Sequence, residues 1–279
     1  MEILIVGLGV IGAAFADGLA KKGHIVYGVD KDTKTLRYAL KEKMIKEGSL
    51  EIKDFLPKAS LVILCVYPRD ILNILKENTF LEGQIITDVS GVKEVLVEEI
   101  NKLDLKASYV SIHPMAGREK KGILYADKTR FIGANFLIIP TKFTNVEAIS
   151  VVKNIAKDLE FGKISIMSGA HHDYMIAKTS QLPHALAVAL VLADEDSDTV
   201  KYIGDSYRDL TRIAMINQKL WGELFLENKN NLLKNIEKFE EKLDNIKDCL
   251  KNDDIINLEE MFKQSSIKRE LMNKEKVAK

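Results

Sequence analysis

The chain has little cysteine, little proline and no surplus of charge of either sign. Its two cysteines in 279 residues are Cys65, in an apolar run, and Cys249, in a charged helical stretch. They lack metal-type spacing and the density of a disulfide scaffold, which fits a reducing, cytoplasmic compartment. Lysine plus arginine, 41, equals aspartate plus glutamate, 41, so the electrostatic footprint of a nucleic-acid binder or a polybasic membrane contact is missing. The longest apolar run, Ala185 to Ala193, falls far short of the roughly 20 residues a bilayer requires. Met1-Glu2 leads into a short apolar segment without the basic start and cleavage site of a secretory leader. His171 and His172 diverge on a helix, and no cysteine or carboxylate cluster accompanies them, so no metal is expected. These absences predict a soluble cytoplasmic protein with neither nucleic acid nor membrane as partner.

Short runs rich in valine, isoleucine and leucine fill the first 168 residues: Ile3–Val6, Ile25–Val29, Leu61–Val66, Ile85–Val89, Tyr109–Ile112, Phe136–Ile139 and Ile164–Ile166. Such runs read as strands covered on both faces, and amphipathic stretches such as Ala13–Lys22 and Val92–Leu103 lie between most of them. The alternation predicts an α/β fold, a Rossmann-type doubly wound sheet over residues 1–168. One connection, from His113 to Ala134, is polar, glycine-containing and poorly periodic, as functional loops often are. After Ser168 the pattern is helical, giving an all-α C-terminal domain over residues 169–279. Apolar residues at 232, 236, 239, 243, 246 and 250 form a stripe along one helix. Its length favours homodimerisation through this domain.

Gly7-Leu8-Gly9-Val10-Ile11-Gly12 follows the first strand and opens a helix. A second strand ends at Asp30, where a dinucleotide fold places a carboxylate for the ribose hydroxyls. Gly7 allows the tight turn, Gly9 lets backbone approach the pyrophosphate, and Gly12 permits close helix–strand packing. Asp30 favours NAD, since a carboxylate repels a 2′-phosphate; Lys31 and Lys34 nearby leave NADP open.

His113 stands just past the fifth of these strands, where ligands bind in an open parallel sheet. The segment from His113 through Pro114, Met115, Ala116, Gly117, Arg118 and Glu119 to Gly122 resembles the His-Pro-Met/Ile-Ala-Gly-x-Glu-x-x-Gly signature of prephenate dehydrogenases. Asp88 to Lys93 is similar to the family's Asp-x-x-Ser-Val-Lys turn, and Gln181-Leu182-Pro183-His184-Ala185 to its Ser-His-Leu-Pro-His-Ala helix. Tyr207 to Ala214 resembles its Phe-x-Asp-x-Thr-Arg-Ile-Ala motif, with Trp221 and Leu226-Glu227-Asn228 beyond.

The resemblance implies NAD-dependent oxidative decarboxylation of prephenate to 4-hydroxyphenylpyruvate, on the route to tyrosine. It implies that His113 takes the proton of the C4 hydroxyl as hydride leaves, work suited to an imidazole. Arg212 would pair with the substrate carboxylate, His184 and Gly117 would help hold the substrate, Glu119 would face the entrance, and Asp209 would orient Arg212 or His184. Two departures stand out. Gly91 occupies the position of the family's serine, leaving Ser90 one residue earlier as the candidate hydroxyl, and Gln181 replaces the first histidine of His-Leu-Pro-His, where it could alter contacts to the substrate side chain.

Arogenate, bearing an amino group in place of the keto group, remains open as substrate. A β-hydroxyacid dehydrogenase would need a catalytic lysine after a glycine-rich turn. Lys178 lacks that turn and is read as structural or solvated. A nucleotide-sensing protein without activity would have lost His113 or Arg212, and both are present. Neither a regulatory domain nor a fused chorismate mutase is expected beyond the helical region, so inhibition by tyrosine, if it occurs, is expected at the active site.

Overall fold

The computed structural model describes residues 1–117 and 120–277, with side chains through residue 273. Eight strands form one sheet: β1 Glu2–Val6, β2 Ile25–Val29, β3 Glu47–Ser49, β4 Leu61–Leu64, β5 Ile85–Asp88, β6 Ser108–Pro114, β7 Phe136–Pro140 and β8 Ile164–Ile166. Their order is β3-β2-β1-β4-β5-β6-β7-β8. Neighbours from β3 to β6 run parallel, β7 is antiparallel to β6, and β8 is parallel to β7. The runs read as strands correspond to β1, β2 and β4 to β8. The additional strand, β3, is three residues at the sheet edge and carries no hydrophobic side chain.

The helices of the sheet region are α1 Val10–Lys21, α2 Thr33–Lys41, α3 Pro68–Glu77, α4 Glu94–Asn101 and α5 Val146–Asp158. Period-two alternation sends Ile3 and Ile5 into one core with Phe15, Leu19, Val152 and Ile155. Leu4 and Val6 enter the opposite core with Ile71, Leu75, Leu96 and Ile100. Both faces are therefore covered, as a parallel sheet requires.

Beyond Ser168 come α6 Gly169–Ile176, a π-helical turn Ala177–Gln181, α7 Leu182–Leu192, α8 Asp205–Thr211 and α9 Gln218–Glu227. Ser168 caps α6 by accepting from the His171 amide. The π turn carries the helix into Pro183, whose ring cannot accept a regular α-turn before it. As a result Gly169–Leu192 is one continuous 24-residue helical stretch containing an 18-residue window of mean hydropathy 1.3, long and apolar enough by length and composition to cross a membrane. That differs from the expectation based on residues 185–193 alone. Buried His172 and Asp173 on this stretch bond into the sheet region.

Residues 1–229 form one compact unit, and a second begins at Asn230. The 168/169 boundary marks where strands end, whereas by compactness the break comes 61 residues later, between Lys229 and Asn230. The second unit takes in α10 Lys229–Lys251 from its second residue onward and α11 Ile255–Val277. Along the stripe read from sequence, Leu243 and Leu250 are exposed, as are Ile255, Ile256 and Phe262 on α11.

Candidate active site

The glycine-rich turn is built as its sequence demands. Gly7 has φ +90°, and a side chain there would place Cβ 2.5 Å from the Cys65 carbonyl oxygen. A Cβ on Gly12 would lie 1.9 Å from the Gly7 carbonyl oxygen. Gly9 is different: nothing lies within 4 Å of an added Cβ, so its face is open. Gly9 is also the N-cap of α1, and no side chain caps that helix. The orphan first-turn N–H groups of α1 thus stand at an open face, the arrangement that receives a pyrophosphate. Gly9, Val10 and Ile11 line a cleft of about 530 Å³. Leu8 contributes its backbone only, since its side chain is fully buried.

Asp30, just past β2, braces this turn. One carboxylate oxygen accepts from the Leu8 amide at 2.8 Å, the other from the Asp32 amide at 2.9 Å. Each oxygen keeps a second acceptor site for a ribose hydroxyl. Asp30→Ala removes the brace and the acceptor together. It is expected to weaken NAD binding roughly tenfold or more, the scale of a hydrogen bond to a charged group. Titration of intrinsic fluorescence with NAD measures it, and an unchanged affinity would remove Asp30 from the cofactor site.

The same cleft is lined by His113, Gly117, Ser90, Gly91 and His184. His113 lies within β6, one residue before its end. Its Nδ1 meets His172 Nε2 at 2.8 Å, and His172 Nδ1 meets Asp173 Oδ1 at 2.6 Å. Asp173 also accepts from the backbone amides of Lys93 and Glu94 at the start of α4. A carboxylate accepts only, so His172 carries its proton on Nδ1 and offers the Nε2 lone pair. His113 must then donate from Nδ1, which leaves the lone pair on its Nε2. Burial, then the neighbouring His172 and Lys93, hold the His113 pKa well below the ordinary imidazole value. Burial also lowers His172, but the bond to Asp173 pushes it back up.

Beneath this chain lies a second polar group. Lys93 Nζ pairs with Asp88 Oδ1 at 2.6 Å, and both side chains are fully buried. The other Asp88 oxygen accepts from the Tyr109 and Ser111 hydroxyls. Burial lowers the Lys93 pKa and Asp88 opposes that. The Ser90 amide donates to Asp88 Oδ1, and the Ser90 hydroxyl donates to the Val92 carbonyl. Ser90, expected as the hydroxyl aimed at the substrate, is thereby engaged within its own turn. At Gly91 an added Cβ would meet Leu224 at 3.4 Å, an ordinary contact, so packing alone does not require glycine.

Across the cleft the π turn and α7 present His184, whose Nδ1 donates to the Ser180 carbonyl at 2.8 Å. Its ring stacks on Trp221 with centroids 3.7 Å apart. Gln181 is buried, its amide donating to the Leu224 carbonyl and its carbonyl accepting from Asn228. It ties the π turn to α9 and also lines the cleft. Arg212 and Asp209 are exposed and lie outside the cleft lining; Glu119 lies outside the described residues. The cations that line the cleft among the described residues are Lys120 and Lys121. Lys178 is exposed. Sequence reading missed His172 and Asp173, which follow the helix cap Ser168 but meet His113 only in the fold.

The arrangement joins a dinucleotide cradle to a neutral, backed histidine base, as oxidation of an alcohol needs. Comparison with known proteins agrees. The family model described as prephenate dehydrogenase, nucleotide-binding domain, matches residues 15–164, and the one described as prephenate dehydrogenase, dimerization domain, matches residues 168–264. Prephenate dehydrogenase of Lactococcus lactis is 30% identical over 97% of this chain and 77% of its own length. The crystal structure of prephenate dehydrogenase from A. aeolicus with hydroxyphenyl propionate and NAD+ is 32% identical, covers 98% of both chains and has a TM-score of 0.88. Synechocystis arogenate dehydrogenase is 27% identical over 98% of this chain and all of its own, with a TM-score of 0.81. The chain belongs to the prephenate dehydrogenase family.

Proposed function

We propose that this chain oxidatively decarboxylates prephenate with NAD. The observation that carries this reading is His113, with its Nε2 lone pair set by His172, in the cleft that also holds the glycine-rich turn. When bound, NAD supplies the acceptor for the hydride of the substrate carbinol carbon. His113 Nε2 takes the hydroxyl proton as that hydride departs. Carbon dioxide loss then aromatises the ring, and the proton returns to the same oxygen to give the phenol. Lys120, Lys121 and His184 face the cleft and supply cationic or donor groups for a dianionic substrate. Arg212, Asp209 and Glu119 enter this reading through the sequence resemblance; the exposed Arg212 and Asp209 add no geometric support.

Residues 169–279 are read as the substrate-binding and dimerising portion. The dimerization-domain match over 168–264 and the exposed apolar residues of α10 and α11 support that assignment. Tyrosine, a phenol like the product, is read as an inhibitor of the same cleft, and the cytoplasm as the compartment.

A second reading, arogenate as substrate, has the support of the Synechocystis relative. Purified protein with NAD, offered prephenate and arogenate separately, is expected to form NADH with prephenate. Much faster NADH formation with arogenate would replace the first reading by the second. Silence with both would overturn the reaction.

A further inference from the structure

The two histidines differ in how well they hold a proton. His113 sits beside the Lys93 ammonium, and among the described residues no carboxylate bonds to it, whereas His172 bonds directly to Asp173. His172 is fully buried and Asp173 is 1% exposed. Asp173 accepts from two backbone N–H groups at the start of α4. The chain His113–His172–Asp173 therefore ends inside the protein, without an exit to water.

The proposed reaction suits such a dead end. The hydroxyl proton must leave while the carbonyl forms, and an equal proton must return to that oxygen once the ring is aromatic. No net proton is released from the alcohol, so the site needs a reservoir and not a path to solvent.

We propose that His172 is this reservoir: as His113 Nε2 takes the substrate proton, the His113 Nδ1 proton passes to His172 Nε2, where Asp173 balances the new charge. His113 exchanges its Nδ1–H bond for one at Nε2, His172 gains an N–H bond at Nε2 and becomes the imidazolium, and the reverse transfer returns the proton to the phenolate oxygen. The step moves protons only. His172 touches neither substrate nor cofactor and acts through His113. This assignment rests on the reaction proposed above.

Two measurements test it. Nitrogen NMR of protein carrying isotopically labelled histidine, without substrate, is expected to show His113 neutral and protonated at Nδ1, and His172 likewise at Nδ1. His113 protonated at Nε2 would overturn the assignment even in an enzyme that turns prephenate over. The second measurement uses His172→Gln, whose side-chain oxygen can still accept from His113 but cannot hold a proton. It is expected to lower kcat by about tenfold or more, with KM for prephenate and NAD nearly unchanged. Wild-type kcat in this variant would show that His172 only orients the base and would overturn the reservoir. Should the variant fail to fold, the resting tautomer of the wild-type protein still decides. Silence of the wild-type enzyme toward both substrates, with the expected tautomers present, would instead sink the reaction reading.

Discussion

His113→Ala is expected to lower kcat by about 10²- to 10⁴-fold, the range for loss of a positioned general base, while leaving NAD affinity close to wild type. The side chain lines the cleft but takes no part in the glycine turn, whose contacts are backbone and Asp30. Steady-state kinetics and NAD titration separate the two effects. A variant that kept wild-type turnover would remove His113 from the chemistry. The same residue fixes a pH dependence. His172 and Lys93 face it, with Asp173 and Asp88 behind them. Burial, then the neighbouring His172 and Lys93, hold its pKa well below 6.5. A lowered pKa means that the base is already neutral at pH 7, and falling pH removes it only well under 6.5. The acid limb of kcat/KM is therefore expected below that value; a limb at or above 6.5 assigned to His113 would contradict the environment described.

The largest effect on stability is expected at Lys93. Lys93→Met keeps much of the side-chain volume but strands the Asp88 carboxylate, fully buried opposite it. Breaking a buried ion pair from one side costs about 3–5 kcal/mol, which for a chain of this size lowers Tm by roughly 10 °C. Tyr109 and Ser111 would still donate to Asp88, so some of the charge stays compensated. Adding Asp88→Asn to Lys93→Met removes the stranded charge and is expected to recover part of the loss. Thermal unfolding of the two variants tests the pair, and equal Tm values for Lys93→Met and wild type would show that the buried charge is solvated by other means.

The sheet was legible because each run announces itself: Leu61 to Leu64 is apolar at every position and buried on both faces. β3 was not, because Glu47, Gly48 and Ser49 join the edge through backbone pairing with β2, which leaves no hydrophobic signature. The cradle was readable in full, since a GxGxxG turn is a local object. The backing of His113 was not. His171 and His172 do diverge on their helix, one exposed and one buried, and that argument against a metal removed both from view. The partner of His172 is 59 residues earlier in the chain, and a linear reading carries no signal for that meeting. Gln181 was legible only in part: the motif placed it at the cleft, which it lines, but gave no sign that its amide also satisfies α9. A motif gives the position of a residue; hydrogen-bond geometry decides what its side chain does there.

The π turn at Ala177–Gln181 has a bearing on which lengths of this segment evolution can accept. At about 100° per residue, a regular α-helix would set positions 172 and 184 roughly 120° apart. One residue absorbed by a π turn removes about 100° of that difference, so both histidines come to nearly the same side of a single rod. Deleting one residue between 177 and 181 would restore regular winding and improve the helix as a helix. With one residue fewer and regular winding, the two histidines would still stand about 20° apart, so His184 would keep its side of the rod. Relatives that conserve the site on a regular α-helix should therefore show a single-residue gap here, whereas a gap of two would turn the histidines to different sides.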